Sequence, residues 1–143
     1  MTQEEKQLLL QDLCARFPYG VIVLEDIDKT FDGGCVSELV TITEIKGEKM
    51  FLTKNSLTPV TIEEIRPYLR SMSSMTEEEK RHISKMMCLR TYDDGVVHDM
   101  TYPVYTPYYV MEDCLSYLRS IYVDYSGLIE KDLALAAPEG IYK

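Results

Sequence analysis

A strand–turn–strand pattern over residues 36–53 constrains the fold more than any other part of the chain. Residues 36–45 and 49–53 are rich in β-branched, aromatic and other apolar side chains, and Lys46-Gly47-Glu48 between them is typical of a tight turn. Two such runs joined by so short a turn predict a β-hairpin. The chain is therefore expected to contain an antiparallel sheet.

Two more strands are predicted beside this hairpin. Residues 19–27 carry apolar side chains on both alternating faces, which is the pattern of a strand covered on both sides. Residues 57–62 are predicted as a short edge strand, because Pro59 has no N–H to donate to an interior ladder.

Helices are predicted at the start of the chain and in its second half. Residues 2–16 open with Thr2 and Glu5 at the spacing of a capping box. Thr76 and Glu79 repeat that spacing and predict a helix that runs to about residue 89.

Three less regular helical segments complete the prediction. A short helical turn is expected over residues 61–65, before Pro67. A helix follows from about residue 111 to 123, and a last short one over residues 128–136.

Length and composition fit one folded domain of the α+β class. With 143 residues, 45% of them apolar, the chain is large enough to bury a core without disulfides or metals. We therefore predict a single globular domain over residues 1–143, with a small antiparallel β-sheet packed against three or four helices. Uninterrupted apolar runs such as residues 21–24 are far shorter than the ~20 residues of a membrane span.

The acidity of the chain excludes some partners. The net charge of −9 is spread over both halves, and no stretch forms the cluster of Lys and Arg that holds a phosphate backbone. Direct binding to nucleic acid or to an anionic membrane is therefore not expected. The acidity serves solubility in the simplest interpretation. The alternative is an acidic inhibitor of a nucleic-acid-handling or defence enzyme.

The four cysteines, Cys14, Cys35, Cys88 and Cys114, are too far apart in sequence to supply the paired ligands of a structural zinc site. The first residues are acidic and lack the long apolar stretch of a secretory signal. We therefore expect reduced, mostly buried thiols in a cytoplasmic protein, with no metal and no cofactor.

His98 is the residue with the best case for catalysis. Asp93, Asp94 and Asp99 lie near it, and a histidine among carboxylates can bind a divalent ion or act as a base. A small metal-dependent hydrolase is thus a second alternative, although Asp93-Asp94-Gly95 is first of all a turn signal. The loop at residues 26–34 lacks the spacing of a calcium-binding loop. No other catalytic motif is present, so we expect a protein that is not an enzyme.

Tyrosine is the unusual residue of this chain, with eleven copies and no tryptophan. A tyrosine offers a flat apolar ring with a polar tip and little rotamer entropy to lose, which suits recognition surfaces. The alternative is that the tyrosines cover a small core with their hydroxyls in water. Four of them, interleaved with two prolines, are the predicted partner-binding residues: Tyr102, Tyr105, Tyr108 and Tyr109.

Three stretches of the chain resemble a known group of proteins. They are residues 13–21 (LCARFPYGV), 62–79 (IEEIRPYLRSMSSMTEEE) and 124–140 (DYSGLIEKDLALAAPEG). They are similar to an uncharacterised small acidic protein family of Bacteroides-type gut bacteria and their phages or mobile elements, which shares the tyrosine–proline segment less closely. The resemblance implies a bacterial cytoplasmic setting, with a mobile element as one source of the gene. It implies no activity, cofactor or catalytic residue.

These observations predict a non-catalytic binding or adaptor protein. Its expected partner is another protein, contacted through the tyrosine-rich segment 102–109. An exposed apolar and aromatic patch of several hundred Å² would favour this function over the two alternatives.

Overall fold

The described part of the chain contains three α-helices and one six-stranded sheet. The computed structural model describes residues 1–25, 40–53, 55–91 and 108–142, with the backbone alone for Glu25 and residues 55–58, 87–91 and 108–110. The helices are α1 (Gln3–Arg16), α2 (Glu77–Thr91) and α3 (Tyr108–Ser120). The strands are β1 (Ile22–Glu25), β2 (Val40–Lys46), β3 (Lys49–Leu52), β4 (Asn55–Thr61), β5 (Ile65–Leu69) and β6 (Leu135–Ala136). The fold is of the α+β class, as predicted.

The strands lie in the order β4–β3–β2–β1–β5–β6. Neighbours from β4 to β5 are antiparallel, whereas β6 pairs with β5 in parallel, so the sheet is mixed and not purely antiparallel as predicted. The predicted hairpin is β2–β3, and β4 is the edge strand expected around Pro59. The part of the predicted second strand before Val40 lies outside the described residues.

A β-bulge in β2 keeps its apolar residues on the core side. Ile42 faces Leu52, but the next paired residue is Glu44, so Thr43 is an extra residue in β2. Without this extra residue the alternation of a strand would bring Glu44 into the core. With it, Ile45 returns to the core side and Glu44 stays exposed.

β5 was not predicted, because Pro67 was expected to end a helical turn there. The turn is limited to the 3₁₀ segment Ile62–Glu64, and Pro67 lies inside the strand, opposite Val23 of β1. The N-side of Pro67 faces β6, where pairing starts only at Tyr68. The missing N–H of Pro67 therefore breaks no ladder bond.

The helix predicted over residues 128–136 was also wrong. The buried Asp124 carboxylate accepts hydrogen bonds from the N–H groups of Leu128 (2.9 Å) and Ile129 (2.8 Å), which fixes a turn. Asp132 then has a φ of 57°, a left-handed conformation that ends any right-handed helix. The chain leaves this turn extended and forms β6.

The main core lies between one face of the sheet, α1 and residues 128–134. Alternate sheet residues are buried in it, and α1 contributes Leu9 and Leu13, both fully buried. The opposite face of β1 is less covered, since Ile22 and Leu24 are half-buried, whereas the sequence predicted a strand covered on both sides. The fifteen buried residues of this cluster are Leu9, Leu13, Val21, Val23, Val40, Ile42, Met50, Leu52, Val60, Ile62, Ile65, Leu69, Leu128, Leu133 and Ala134.

α1 begins at the predicted capping box of Thr2 and Glu5 and also buries an ion pair. Arg16 Nε donates to Asp12 Oδ2 at 2.6 Å, and Arg16 Nη2 donates to the Val123 carbonyl at 2.9 Å. Arg16 is fully buried, and its Nη1 has no hydrogen-bond partner among the described residues. Cys14, expected to be buried, is exposed instead.

α2 and α3 pack against each other over a second, smaller cluster. Its buried residues are Met75, Leu118 and Val123. α3 starts three residues before the predicted position and ends at Ser120, because Tyr122 has a left-handed φ of 61°. None of the helices in the described ranges has the length and apolar character needed to cross a membrane.

Candidate binding cleft

The predicted site residues lie mostly outside the described residues. Tyr102, Tyr105 and His98 are among those not described, as are the aspartates beside His98. Tyr108 and Tyr109 open α3, with their backbone alone described. In the ranges that the structure covers, no group of three or more His, Cys, Asp or Glu residues is arranged to hold a metal ion. The tyrosine-rich surface and the site at His98 stay predictions.

A cleft of about 1010 Å³ opens between the sheet and the ends of the helix pair. Its walls come from the start of β1, from Thr41 of β2, from residues 70–76 and from the residues at the end of α3. Residues 136–142, which follow from β6, form the remaining wall. The cleft thus combines segments that are distant in sequence.

Arg70 connects the elements around the cleft. Its Nη1 and Nη2 donate to the two carboxylate oxygens of Glu79, each at 2.9 Å. Nη1 also donates to the Ile121 carbonyl at 3.3 Å and Nη2 to the Ser74 carbonyl at 3.1 Å. Arg70 therefore holds together the first turn of α2, the end of α3 and the segment that leaves β5.

Glu79 is the acceptor for both Arg70 and the start of α2. Its side chain also accepts from the Thr76 N–H at 2.8 Å, while the Thr76 hydroxyl accepts from the Glu79 N–H. The predicted capping box is confirmed. The hydrogen bonds from Arg70, followed by that from Thr76, hold the pKa of Glu79 below its usual value. The positive charge on this wall of the cleft is thus neutralised within the fold.

The hydroxyl groups around Arg70 are held in fixed orientations. Ser74 Oγ donates to the Ser71 carbonyl at 2.7 Å, and Ser120 Oγ donates to the Tyr117 carbonyl at 2.6 Å. Because their hydrogens are used, these two groups are left as acceptors. Thr76 Oγ1 is used as an acceptor, so its hydrogen is left to donate. These hydroxyl groups offer a donor and acceptors without net charge.

Tyr122 and Tyr142 form a stacked pair on the wall of the cleft. Their ring centroids are 3.6 Å apart and their planes differ by 8°. The Tyr122 hydroxyl donates to the Tyr19 carbonyl. The stack therefore ties residue 142 to the end of α3 and to the segment before β1.

The Tyr142 hydroxyl completes the pairing of β1 with β5. In their register the next pair after Val23 and Pro67 would be Ile22 and Tyr68. The hydroxyl accepts from the Ile22 N–H at 3.0 Å and donates to the Tyr68 carbonyl at 2.6 Å, so it bridges the two strands at this position. Burial raises the pKa of Tyr142 to about 12.

Two residues after Tyr68, just beyond the end of β5, the backbone of another segment provides the pairing. The Arg70 N–H donates to the Tyr122 carbonyl at 2.8 Å, and the Asp124 N–H donates to the Arg70 carbonyl at 2.8 Å. The same side of β5 is therefore paired in turn by β1, by the Tyr142 hydroxyl and by the backbone around Val123. These bonds fix the floor of the cleft.

Few ionisable side chains line this cleft. Among the described residues that line it, the ionisable side chains are Arg70, Glu139, Tyr122 and Tyr142, and none is a histidine, cysteine or lysine. Arg70 and the two tyrosine hydroxyls are already engaged inside the fold. The sequence did not identify this cleft. The signal available was the excess of tyrosine, but the four tyrosines singled out from it do not include the two that line the cleft.

Comparison of the chain with protein-family models, with curated proteins and with solved structures gave no match. The geometry of the cleft is therefore the basis for a functional proposal.

Proposed function

We propose that this chain is a non-catalytic binding protein that captures a segment of a partner protein in the cleft. The supporting observation is that Arg70 and the two phenolic groups of the cleft wall are already paired, while the remaining ionisable group, Glu139, is exposed to solvent. Arg70 is matched by Glu79, and the hydroxyls of Tyr122 and Tyr142 are bonded within the fold. Catalysis needs a group that can exchange a proton or attack a substrate. Recognition needs fixed walls with a few remaining donors and acceptors.

The tyrosine-rich segment 102–109 is proposed as a second contact for the same partner. It runs into α3 at Tyr108, and the other end of α3 lines the cleft. A helix of 13 residues is about 20 Å long. A standard interface of about 800 Å² per partner is about 30 Å across, so both contacts fit within one interface.

The proposed setting is the cytoplasm of a bacterium, with a mobile element as one source of the gene, as the resemblance of residues 13–21, 62–79 and 124–140 implies. The net charge of −9 supports a protein partner over nucleic acid, since a phosphate backbone would be repelled.

Site-specific photo-crosslinking tests this function. Benzoylphenylalanine replaces Ser71 on the cleft wall in one variant and Glu130, which is exposed and outside the cleft, in a matched control. A third variant carries it at Tyr105. After irradiation in a bacterial lysate, we expect one adduct of defined mass from the Ser71 variant, the same partner from the Tyr105 variant, and none from the Glu130 variant.

Folding of each variant is checked by its circular dichroism spectrum and melting curve before irradiation. An absent adduct at Ser71, or the same set of adducts at Ser71 and Glu130, would contradict binding in the cleft. An adduct at Ser71 without one at Tyr105 would retain the cleft and remove the tyrosine-rich segment from the interface.

A further inference from the structure

The backbone of β6 shows which kind of ligand fits the cleft. Among the described strands, β6 is the outermost one on its side of the sheet. Leu69 pairs with Ala136, and the Ala137 N–H donates to the Leu69 carbonyl at 2.7 Å. Because successive residues of a strand direct their backbone groups to opposite sides, the N–H and C=O of Ala136 point away from β5. Ala136 is exposed and lines the cleft.

We infer that the cleft binds an extended, uncharged peptide segment of the partner, which pairs with Ala136 as an added edge strand. Strand addition to an open sheet edge is a recurrent mode of peptide recognition, in which main-chain hydrogen bonds supply affinity. The inference rests on the proposed function, because it names the ligand of the same cleft.

The polar groups of the cleft favour a ligand without charge. An anion would need a cation that is not already paired, but Arg70 is bound to both oxygens of Glu79. A cation would have only Glu139, which is exposed to solvent, where an ion pair contributes little. What the wall offers is the Arg70 Nε–H, which none of these bonds uses, the acceptor oxygens of Ser74 and Ser120, and the Thr76 hydroxyl hydrogen. Peptide groups present one donor and one acceptor each, which matches this mixed set.

The apolar groups of the cleft fit the side chains of an extended peptide. Ile22, Ile121 and Ile141 line the cleft together with the Tyr122–Tyr142 stack. Side chains of a strand alternate between its two sides, so every second residue of the peptide would face these groups. Specificity would come from small or medium apolar side chains at those positions.

The peptide segment must be short. β6 has two residues, and Pro138, two residues after Ala136, has no N–H with which to continue a ladder. A pairing of about three to five peptide residues is therefore expected. The same proline limits uncontrolled pairing between copies of this edge.

The test removes a single N–H group. Ala136→Pro deletes the outward N–H of Ala136, for which the described residues show no acceptor, and Ala136→Val is the matched control that keeps it. The probes are peptides selected from a display library of random nonapeptides panned on the wild-type protein, then synthesised with blocked ends. Binding is measured by titration calorimetry and by ¹⁵N–¹H chemical shifts of the labelled protein.

We expect the selected peptides to share an uncharged run of three to five residues and to shift the amide resonances of Ala136 and Ser120. Their affinity should fall at least tenfold with Ala136→Pro and less than threefold with Ala136→Val. N-methylation of one peptide position within the run should abolish binding, which provides a second readout if the proline variant is unstable.

Several results would overturn the inference: no enriched peptide, enriched peptides dominated by Lys and Arg, or affinities unaffected by both Ala136→Pro and N-methylation. The proposed function fails separately, through the crosslinking at Ser71. A Ser71 adduct that forms equally well in the Ala136→Pro background would retain the binding cleft and exclude strand pairing at Ala136.

Discussion

Fifteen buried apolar residues form one cluster between the sheet and α1, whereas three form the cluster beneath α2 and α3, among the residues that the structure describes. The larger region is stabilised mainly by burial, which depends on area and not on direction. The helix pair depends more on directional bonds, chiefly the four hydrogen bonds from Arg70.

The difference explains where a cleft can form. A cluster that buries most of its surface leaves no room for a ligand, and its elements are close-packed. Where the helix pair meets the sheet, hydrogen bonds set the distance between elements and the space between them stays open. The walls of the cleft are therefore fixed by bonds whose loss should move them.

The variant with the largest expected effect tests whether the stability of the sheet region comes from apolar burial alone. Asp12→Ala leaves the buried Arg16 guanidinium without its carboxylate and should lower the free energy of unfolding by about 3–5 kcal/mol in urea denaturation. The double variant Asp12→Leu with Arg16→Met removes both charges and should lie within about 1–2 kcal/mol of wild type. A loss below about 1 kcal/mol for Asp12→Ala would show that the pair contributes little.

The next prediction compares the loss of unfolding free energy when one leucine in each cluster is replaced by alanine. Leu13→Ala, in the large cluster, should cost about 3 kcal/mol, because the fully buried side chain leaves a cavity that the sheet cannot close. Leu118→Ala should cost about 2 kcal/mol, because the smaller cluster around it can relax. Urea unfolding of both variants measures the difference. Equal costs, or a larger one at Leu118, would contradict the contrast between the two regions.

A smaller effect is expected at the bond between Arg70 and Glu79. Glu79→Gln should lower stability by about 2 kcal/mol at pH 7, because a charge-assisted bidentate pair is lost. The pKa of Glu79 is lower in the folded state, so its contribution is complete above the ordinary value of about 4.3 and is lost as the pH falls through the folded value. Unfolding curves between pH 2 and 8 measure this difference.

The matched control for this variant is Glu77→Gln. Glu77 is exposed, and its pair with Lys80 is on the surface, so a change of at most a few tenths of a kcal/mol is expected. A difference between wild type and Glu79→Gln that persisted unchanged at pH 2 would exclude the ionised pair as its cause.

The smallest effect concerns the hydroxyl that bridges β1 and β5. Tyr142→Phe should cost about 1 kcal/mol and should speed hydrogen exchange at the Ile22 amide, which loses its acceptor. The pKa of Tyr142 is raised to about 12, so wild-type stability should fall as the pH rises from about 10 towards 12. In Tyr142→Phe the fall in stability over this pH range should be smaller, because the phenol of Tyr142 is no longer there to ionise.

Tyr68→Phe is the control for the bridging hydroxyl. Tyr68 takes part through its backbone carbonyl, which the substitution keeps. Faster exchange at Ile22 in both variants would mean that ring packing, and not the Tyr142 hydroxyl, protects this amide.

The elements that the sequence predicted well are those whose signals are local. The capping boxes at Thr2 and Thr76 located the starts of α1 and α2, and a glycine turn located the β2–β3 hairpin. β5 and β6 were missed because their pairing partners are distant in sequence, so a proline and a short apolar run were taken as helical signals.

The cleft was missed for the same reason. Arg70 and Glu79 are nine residues apart and belong to different elements. Tyr142 meets β1 across 120 residues. No local sequence pattern predicts either contact. The excess of tyrosine indicated recognition, but composition cannot tell which tyrosines the fold brings to one cleft.

The Tyr142 bridge also has a consequence during synthesis of the chain. Tyr68 and Tyr142 are 74 residues apart, and ribosomes add about 5–20 residues per second, so Tyr142 follows Tyr68 by about 4 to 15 s. β1 and β5 are both made well before the hydroxyl that bridges them. A ribosome stalled before residue 142 therefore holds a nascent chain in which the hydroxyl bridge between β1 and β5 is missing, and the Ile22 amide can gain this acceptor only after residue 142 has been added and has left the ribosome.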